Sequence, residues 1–81
     1  MVKLSPREHE IMQMISEGLT LAFISYQLGI TVKMVRYYVN SVLHKLDAHC
    51  REEAIAKLVA LNMLDVDVVI FLGVEGVKNS P

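Results

Sequence analysis

The stretch Thr20-Leu21-Ala22-Phe23-Ile24-Ser25-Tyr26-Gln27-Leu28-Gly29-Ile30-Thr31-Val32-Lys33-Met34-Val35-Arg36-Tyr37-Tyr38-Val39-Asn40 decides the fold. Thr20 is placed to cap a short helix, about Leu21 to Leu28, in which Ile24 and Leu28 stand four apart and face inward. Gly29 ends that helix, Ile30 plugs the corner and Thr31 caps the next. The third helix is predicted from about Val32 to Leu46, with Val35, Val39, Val42, Leu43 and Leu46 on one apolar stripe. Opposite the stripe lie Lys33, Arg36, Tyr37, Asn40, Ser41 and His44, together with Met34. The result is helix, glycine turn, helix.

Upstream, Leu4-Ser5-Pro6-Arg7-Glu8 is a dense helix-start signal. Ser5 can accept from the Glu8 amide, Pro6 fits the first helical position, and Glu8 can reach back to Ser5. A first helix is predicted from Pro6 to Glu17, with Ile11, Met12 and Ile15 inward and Gly18 as a left-handed stop. Downstream, Asp47-Ala48-His49 is a short connection. A fourth helix is predicted from about Arg51 to Leu61, with Glu52 and Glu53 in its first turn and Ala54, Ile55, Leu58 and Leu61 inward. Asn62 is the expected terminator, because it tolerates the left-handed conformation.

The fold class expected is therefore all-α, a four-helix bundle with a helix-turn-helix over residues 1–64. Residues 65–81 form an apolar C-terminal tail that reads either as a strand or as a continuation of the fourth helix, since periodicity does not settle a short run such as Val68 to Leu72. This tail is a candidate dimerisation element with a frayed end from Gly76 to Pro81.

Composition bounds the function. Eighty-one residues make one small domain, and 53% hydrophobic against 21% charged residues is oilier than a soluble monomer of this size needs, so some apolar surface is expected to meet a partner. The lone Cys50 has no internal disulfide partner and no signal-peptide pattern opens the chain, which points to the cytoplasm. The longest apolar run falls far short of the roughly 20 residues needed to cross a bilayer, so no membrane partner is expected.

The net charge of −1 conceals a division along the chain. Residues 1–17 set Lys3 and Arg7 against Glu8, Glu10 and Glu17, whereas residues 18–46 carry Lys33, Arg36 and Lys45 with no acid at all. The remainder sets three bases against six acids. A polyanion feels the local field, because salt screens beyond about 8 to 10 Å.

The outward face of the third helix suits duplex DNA. Arg and Lys neutralise phosphates or read guanine edges, Asn pairs with adenine, and Ser and Tyr donate to phosphate oxygens. Met34, unlike Met12, sits outward, where a thymine methyl could be its partner. A basic helix is often no more than a solvated face, but here the capped helix and turn that precede it favour a groove reader. The expected DNA-binding residues are Thr20, Lys33, Met34, Arg36, Tyr37, Asn40, Ser41 and His44. Other chemistries fail. His9-Glu10 lacks a second histidine four residues on, so the zinc-protease pattern is broken. His44, Asp47, His49 and Cys50 cluster in sequence, but His44 beside phosphate and Cys50 as a helix cap are better uses. No phosphate loop, nucleophile elbow or paired carboxylate is present, so neither metal nor cofactor nor enzymatic activity is expected.

Taken together, Leu4-Ser5-Pro6-Arg7-Glu8, Ile11, Gly18, Ile24, Leu28, Ile30-Thr31, Val35-Arg36, Val42, Lys45-Leu46, Arg51 and Ala54 resemble the LuxR/GerE-type helix-turn-helix domain over about residues 4–64. The resemblance implies a four-helix bundle, a third helix in the major groove and a dimer through the fourth. Arg36 then stands at the family's recognition lysine, with Tyr37 and Asn40 reaching base edges. Met34 replaces the family's threonine and Tyr38 its histidine. Leu21-Ala22-Phe23 replaces three polar residues that would lie against the DNA backbone, which weakens that contact and leaves Phe23 either to tuck against the C-terminal tail or to offer an apolar patch to a partner.

The function expected is a stand-alone transcriptional regulator that binds duplex DNA as a homodimer. The alternative is a protein-interaction module, an adaptor or antagonist of another LuxR-type regulator, that keeps the fold with weak or no DNA binding. Leu21, Phe23, Leu58 and Leu61 are the expected partner-binding residues. Arg36→Ala would abolish the first activity and Phe23→Ser the second. The four-helix region of sigma factors shares the plan, but the Lys45-Leu46 and Arg51 spacing favours the LuxR/GerE type.

Overall fold

Each of the first three helices begins where a hydroxyl satisfies an otherwise orphaned amide. The computed structural model describes residues 2–65. In helix α1 (Pro6–Ser16), Ser5 Oγ accepts from the Glu8 amide at 3.1 Å and Glu8 Oε1 accepts from the Ser5 amide at 2.9 Å. Helix α2 (Leu21–Leu28) starts with the Phe23 amide donating to Thr20 Oγ1 at 3.0 Å, and helix α3 (Val32–Leu46) with the Met34 amide donating to Thr31 Oγ1 at 3.0 Å. Helix α4 (Arg51–Ala60) starts at Cys50 without a side-chain cap. The α2–α3 reversal rests on Gly29, whose φ of +68° lies where a Cβ is disfavoured.

The helix order is as expected, and no strand occurs among the described residues. Helix α1 ends at Ser16 and α4 at Ala60, each one residue short of the expected bound. Helix α4 does not run on into the tail. Asn62 turns left-handed at φ 62°, and the Met63 amide donates back to Leu58 O at 2.8 Å. The expectations for residues 66–81, strand or helix and a frayed end, lie outside the described residues.

Helix α3 is the axis of the bundle and packs on all three of the others. Its own stripe, Val35, Val39, Val42 and Leu46, is buried as its periodicity requires, against Ile11, Met12, Ile24, Ala54 and Leu58 of the other helices. Three positions differ from the sequence reading. Leu28 and Leu43 are only half-buried, and Leu61 is 52% exposed because the chain reverses at Asn62 and Leu64 fills the core instead. The segment after α4 is tied across α1. His9 Nε2 donates to Met63 O at 2.8 Å, a carbonyl being able only to accept, and Gln13 Nε2 donates to Asp65 O at 2.7 Å.

One carboxylate braces α1 to α3. Glu8 is buried, and besides the Ser5 amide it accepts from Lys45 Nζ at 2.6 Å and Ser41 Oγ at 2.6 Å. Burial by itself would raise the Glu8 carboxyl, but the Lys45 ammonium, the Ser41 hydroxyl and the Ser5 amide outweigh it and lower the carboxyl to about 2. Among the described residues no buried side-chain nitrogen or oxygen lacks a partner.

Candidate nucleic-acid interface

Residues spaced by three and four on a helix share a face, and in α3 that face is Lys33, Arg36, Tyr37, Asn40 and His44, all exposed. Met34 is 42% exposed at its first turn. Tyr37 is steadied by an edge-on contact with the half-buried Tyr38, the ring centroids lying 5.7 Å apart at 72°. Lys33 and Arg36 form no ion pair with any described residue, so both charges face outward uncompensated. Thr20 is exposed, and although its oxygen accepts from Phe23 its hydroxyl proton remains free to donate.

Four sequence expectations are corrected. Ser41 does not face outward: it is half-buried and its hydroxyl is bound to Glu8. Lys45, counted with the basic stretch, is bound to the same carboxylate and to Lys3 O at 3.1 Å, so its charge is neutralised internally. Leu58 is fully buried and offers nothing to a partner. Leu21 is half-buried against the core, so the expected Leu21-Ala22-Phe23 patch consists instead of Ala22 and Phe23, joined by Tyr26, which the sequence reading overlooked and which is 80% exposed.

Arg51 was also overlooked as a functional group. The first residue of α4, it lines a hollow of about 360 Å³ with Leu21, Arg36, Val39, Asn40, Leu43, Cys50 and Glu52. It is held there by the corner between α3 and α4. Lys57 Nζ donates to Leu46 O at 3.0 Å and Asp47 O at 3.1 Å, closing the carbonyl end of α3, while Glu53 accepts from the His49 amide at 3.0 Å and its ring at 3.2 Å. The His49 amide and ring, and Lys57, hold the Glu53 carboxyl at about 2. His49 thus belongs to the corner, and among the described residues no group of three His, Cys, Asp or Glu side chains is placed to hold a metal ion.

A helix with an uncompensated cationic face, held out by a capped helix across a glycine turn, defines the helix-turn-helix class of DNA-binding domain. Within that class the chain belongs to the family of bacterial regulatory proteins, luxR family, whose GerE model matches residues 2–58. It is similar to the structure of the transcription factor GerE, with a TM-score of 0.76 and 36% identity, covering 79% of this chain and 96% of that one. It is 43% identical over 51 residues to the two-component response regulator PprB of Pseudomonas aeruginosa, covering 63% of this chain and 18% of that protein. It is 38% identical over 60 residues to the transcriptional activator protein CarR of Pectobacterium carotovorum subsp. carotovorum, covering 74% and 25%. It is also 39% identical over 62 residues to the quorum sensing-dependent transcriptional regulator RpaR of Rhodopseudomonas palustris, covering 76% and 26%. The match thus spans between 18% and 26% of these relatives' lengths. No helix among the described residues is long and apolar enough to cross a membrane.

Proposed function

We propose that this chain binds duplex DNA as a homodimer and regulates transcription in the cytoplasm, with α3 in the major groove. The observation that carries this is the α3 face: Lys33, Arg36, Tyr37, Asn40 and His44 all exposed, in a stretch from 18 to 46 that has no acid. Arg36 and Asn40, one turn apart, have the chemistry to read guanine and adenine edges. Lys33 and the Thr20 hydroxyl flank them as phosphate contacts, and Met34 offers an apolar surface to a thymine methyl. The exposed Leu61, beside an open hollow lined by Val2, Lys45 and Met63, supports a subunit contact at the end of α4. The family match and the acid-free face support this over the adaptor reading, for which the exposed Phe23 and Tyr26 rings and the acidic remainder of the chain speak.

The test is binding to pooled random duplexes over a range of salt. Because Lys45 is taken up internally, Lys33, Arg36 and Arg51 are the cations each subunit brings to the duplex, and a dimer should give a log–log salt slope of about −5. Arg36→Ala, at an exposed position without an ion pair, should lower affinity by about 10- to 100-fold while leaving the helical circular dichroism intact. Salt-independent binding, or full affinity in the Arg36 variant, would reject DNA recognition through α3.

A further inference from the structure

The hollow between α3 and α4 joins charges from two elements. Arg36 comes from the middle of α3 and Arg51 from the start of α4, and the two line one concavity with Asn40. Neither guanidinium has an acid within ion-pair distance among the described residues. The floor is apolar, made by Leu21, Val39 and Leu43, so an anion seated there is partly withdrawn from water and meets forked donors that match phosphate oxygens in pairs. Leu21 offers an anion no hydrogen bond, and Arg36 and Arg51 are the cationic groups that line the hollow.

We infer that this hollow is the seat of a single backbone phosphate of the bound duplex, held by Arg51 at the edge of the groove that α3 enters. The inference rests on the DNA reading above and deepens it: Arg51 is a positioning residue that fixes the register of α3 along the duplex without reading a base. The α3–α4 corner is what makes this workable. Lys57 on the last carbonyls of α3 and Glu53 on His49 lock the two helices together, so Arg51 keeps a constant offset from Arg36. Glu52, also at the hollow, opposes the anion. Its neutralisation should therefore strengthen binding.

The test pairs Arg51→Ala with duplexes carrying one uncharged methylphosphonate at each successive backbone position of a selected site. The wild-type chain should lose about 3- to 10-fold at one position flanking the α3 contacts, and Arg51→Ala should be indifferent to that position while remaining sensitive to the others. The variant should also flatten the salt slope by about one per subunit, whereas Arg51→Lys should keep the slope. Glu52→Gln should raise affinity by a few-fold. Unaltered slope and an unaltered methylphosphonate profile in Arg51→Ala, with wild-type DNA binding intact, would overturn the phosphate seat alone. Absence of duplex binding by the wild-type chain would overturn the DNA reading, and the seat with it. Arg51 is exposed and makes no described side-chain hydrogen bond, so its variants should fold, and circular dichroism checks this.

Discussion

Replacing Glu8 by Gln removes one charge and almost no volume, and so isolates the brace between α1 and α3. In the folded chain the carboxyl is held at about 2 rather than at its ordinary 4.5. By linkage, that difference corresponds to about 3 kcal/mol of stability at neutral pH. Lys45 is 39% exposed, so water screens part of its attraction, and a loss of about 2 kcal/mol is the reasonable expectation for Glu8→Gln. For a domain of this size such a loss lowers Tm by about 10 °C. The pH dependence carries the sign. Because the folded carboxyl is the stronger acid, the unfolded chain binds more protons between about pH 4.5 and 2, so the Glu8 contribution is complete above the upper value and lost as pH falls through the lower. Urea denaturation followed by circular dichroism at pH 7 and again near pH 2 should show a wide gap between wild type and variant that nearly closes in acid. Equal midpoints at pH 7, or a gap that does not depend on pH, would refute the brace.

Three further substitutions probe the backbone, the core and the surface. Gly29→Ala should cost about 1 kcal/mol in thermal unfolding from left-handed strain alone, because an added Cβ meets no atom within 4 Å. Leu58→Ala should destabilise by about 2 to 5 kcal/mol, whereas Leu61→Ser should leave a monomer's stability almost unchanged and weaken self-association in sedimentation. Equal effects of these two substitutions on unfolding would contradict their opposite burial.

The helix starts and the glycine turn were legible in the sequence because they are local. Ser5, Thr20 and Thr31 each act within three residues of themselves, so the chain order contains everything needed to place them. The brace was not. The capping box already gave Glu8 a sufficient role, and nothing near it in sequence pointed to Ser41 and Lys45, more than 30 residues away. A signal did exist: Ser41 and Lys45 are four apart on the flank of α3, a spacing that turns both to the same neighbour. Arg51 was missed for a related reason. Its meaning depends on the angle at which α4 leaves α3, and that angle is set by Asp47 adopting a left-handed conformation and by Lys57 reaching back to it. Leu61 was misplaced because period alone carried α4 a residue too far, into the reversal at Asn62.

Pairing Lys45 with Glu8 has an effect beyond stability. With Lys45 so paired, the proposed DNA-binding surface carries few cations among the described residues, and such a surface would adhere weakly to arbitrary duplex sequence, since adhesion of that kind comes almost wholly from phosphate neutralisation. Under the proposed function, fewer copies would then be sequestered on the vast excess of wrong sites, and discrimination would rest on the handful of base-reading side chains rather than on raw attraction.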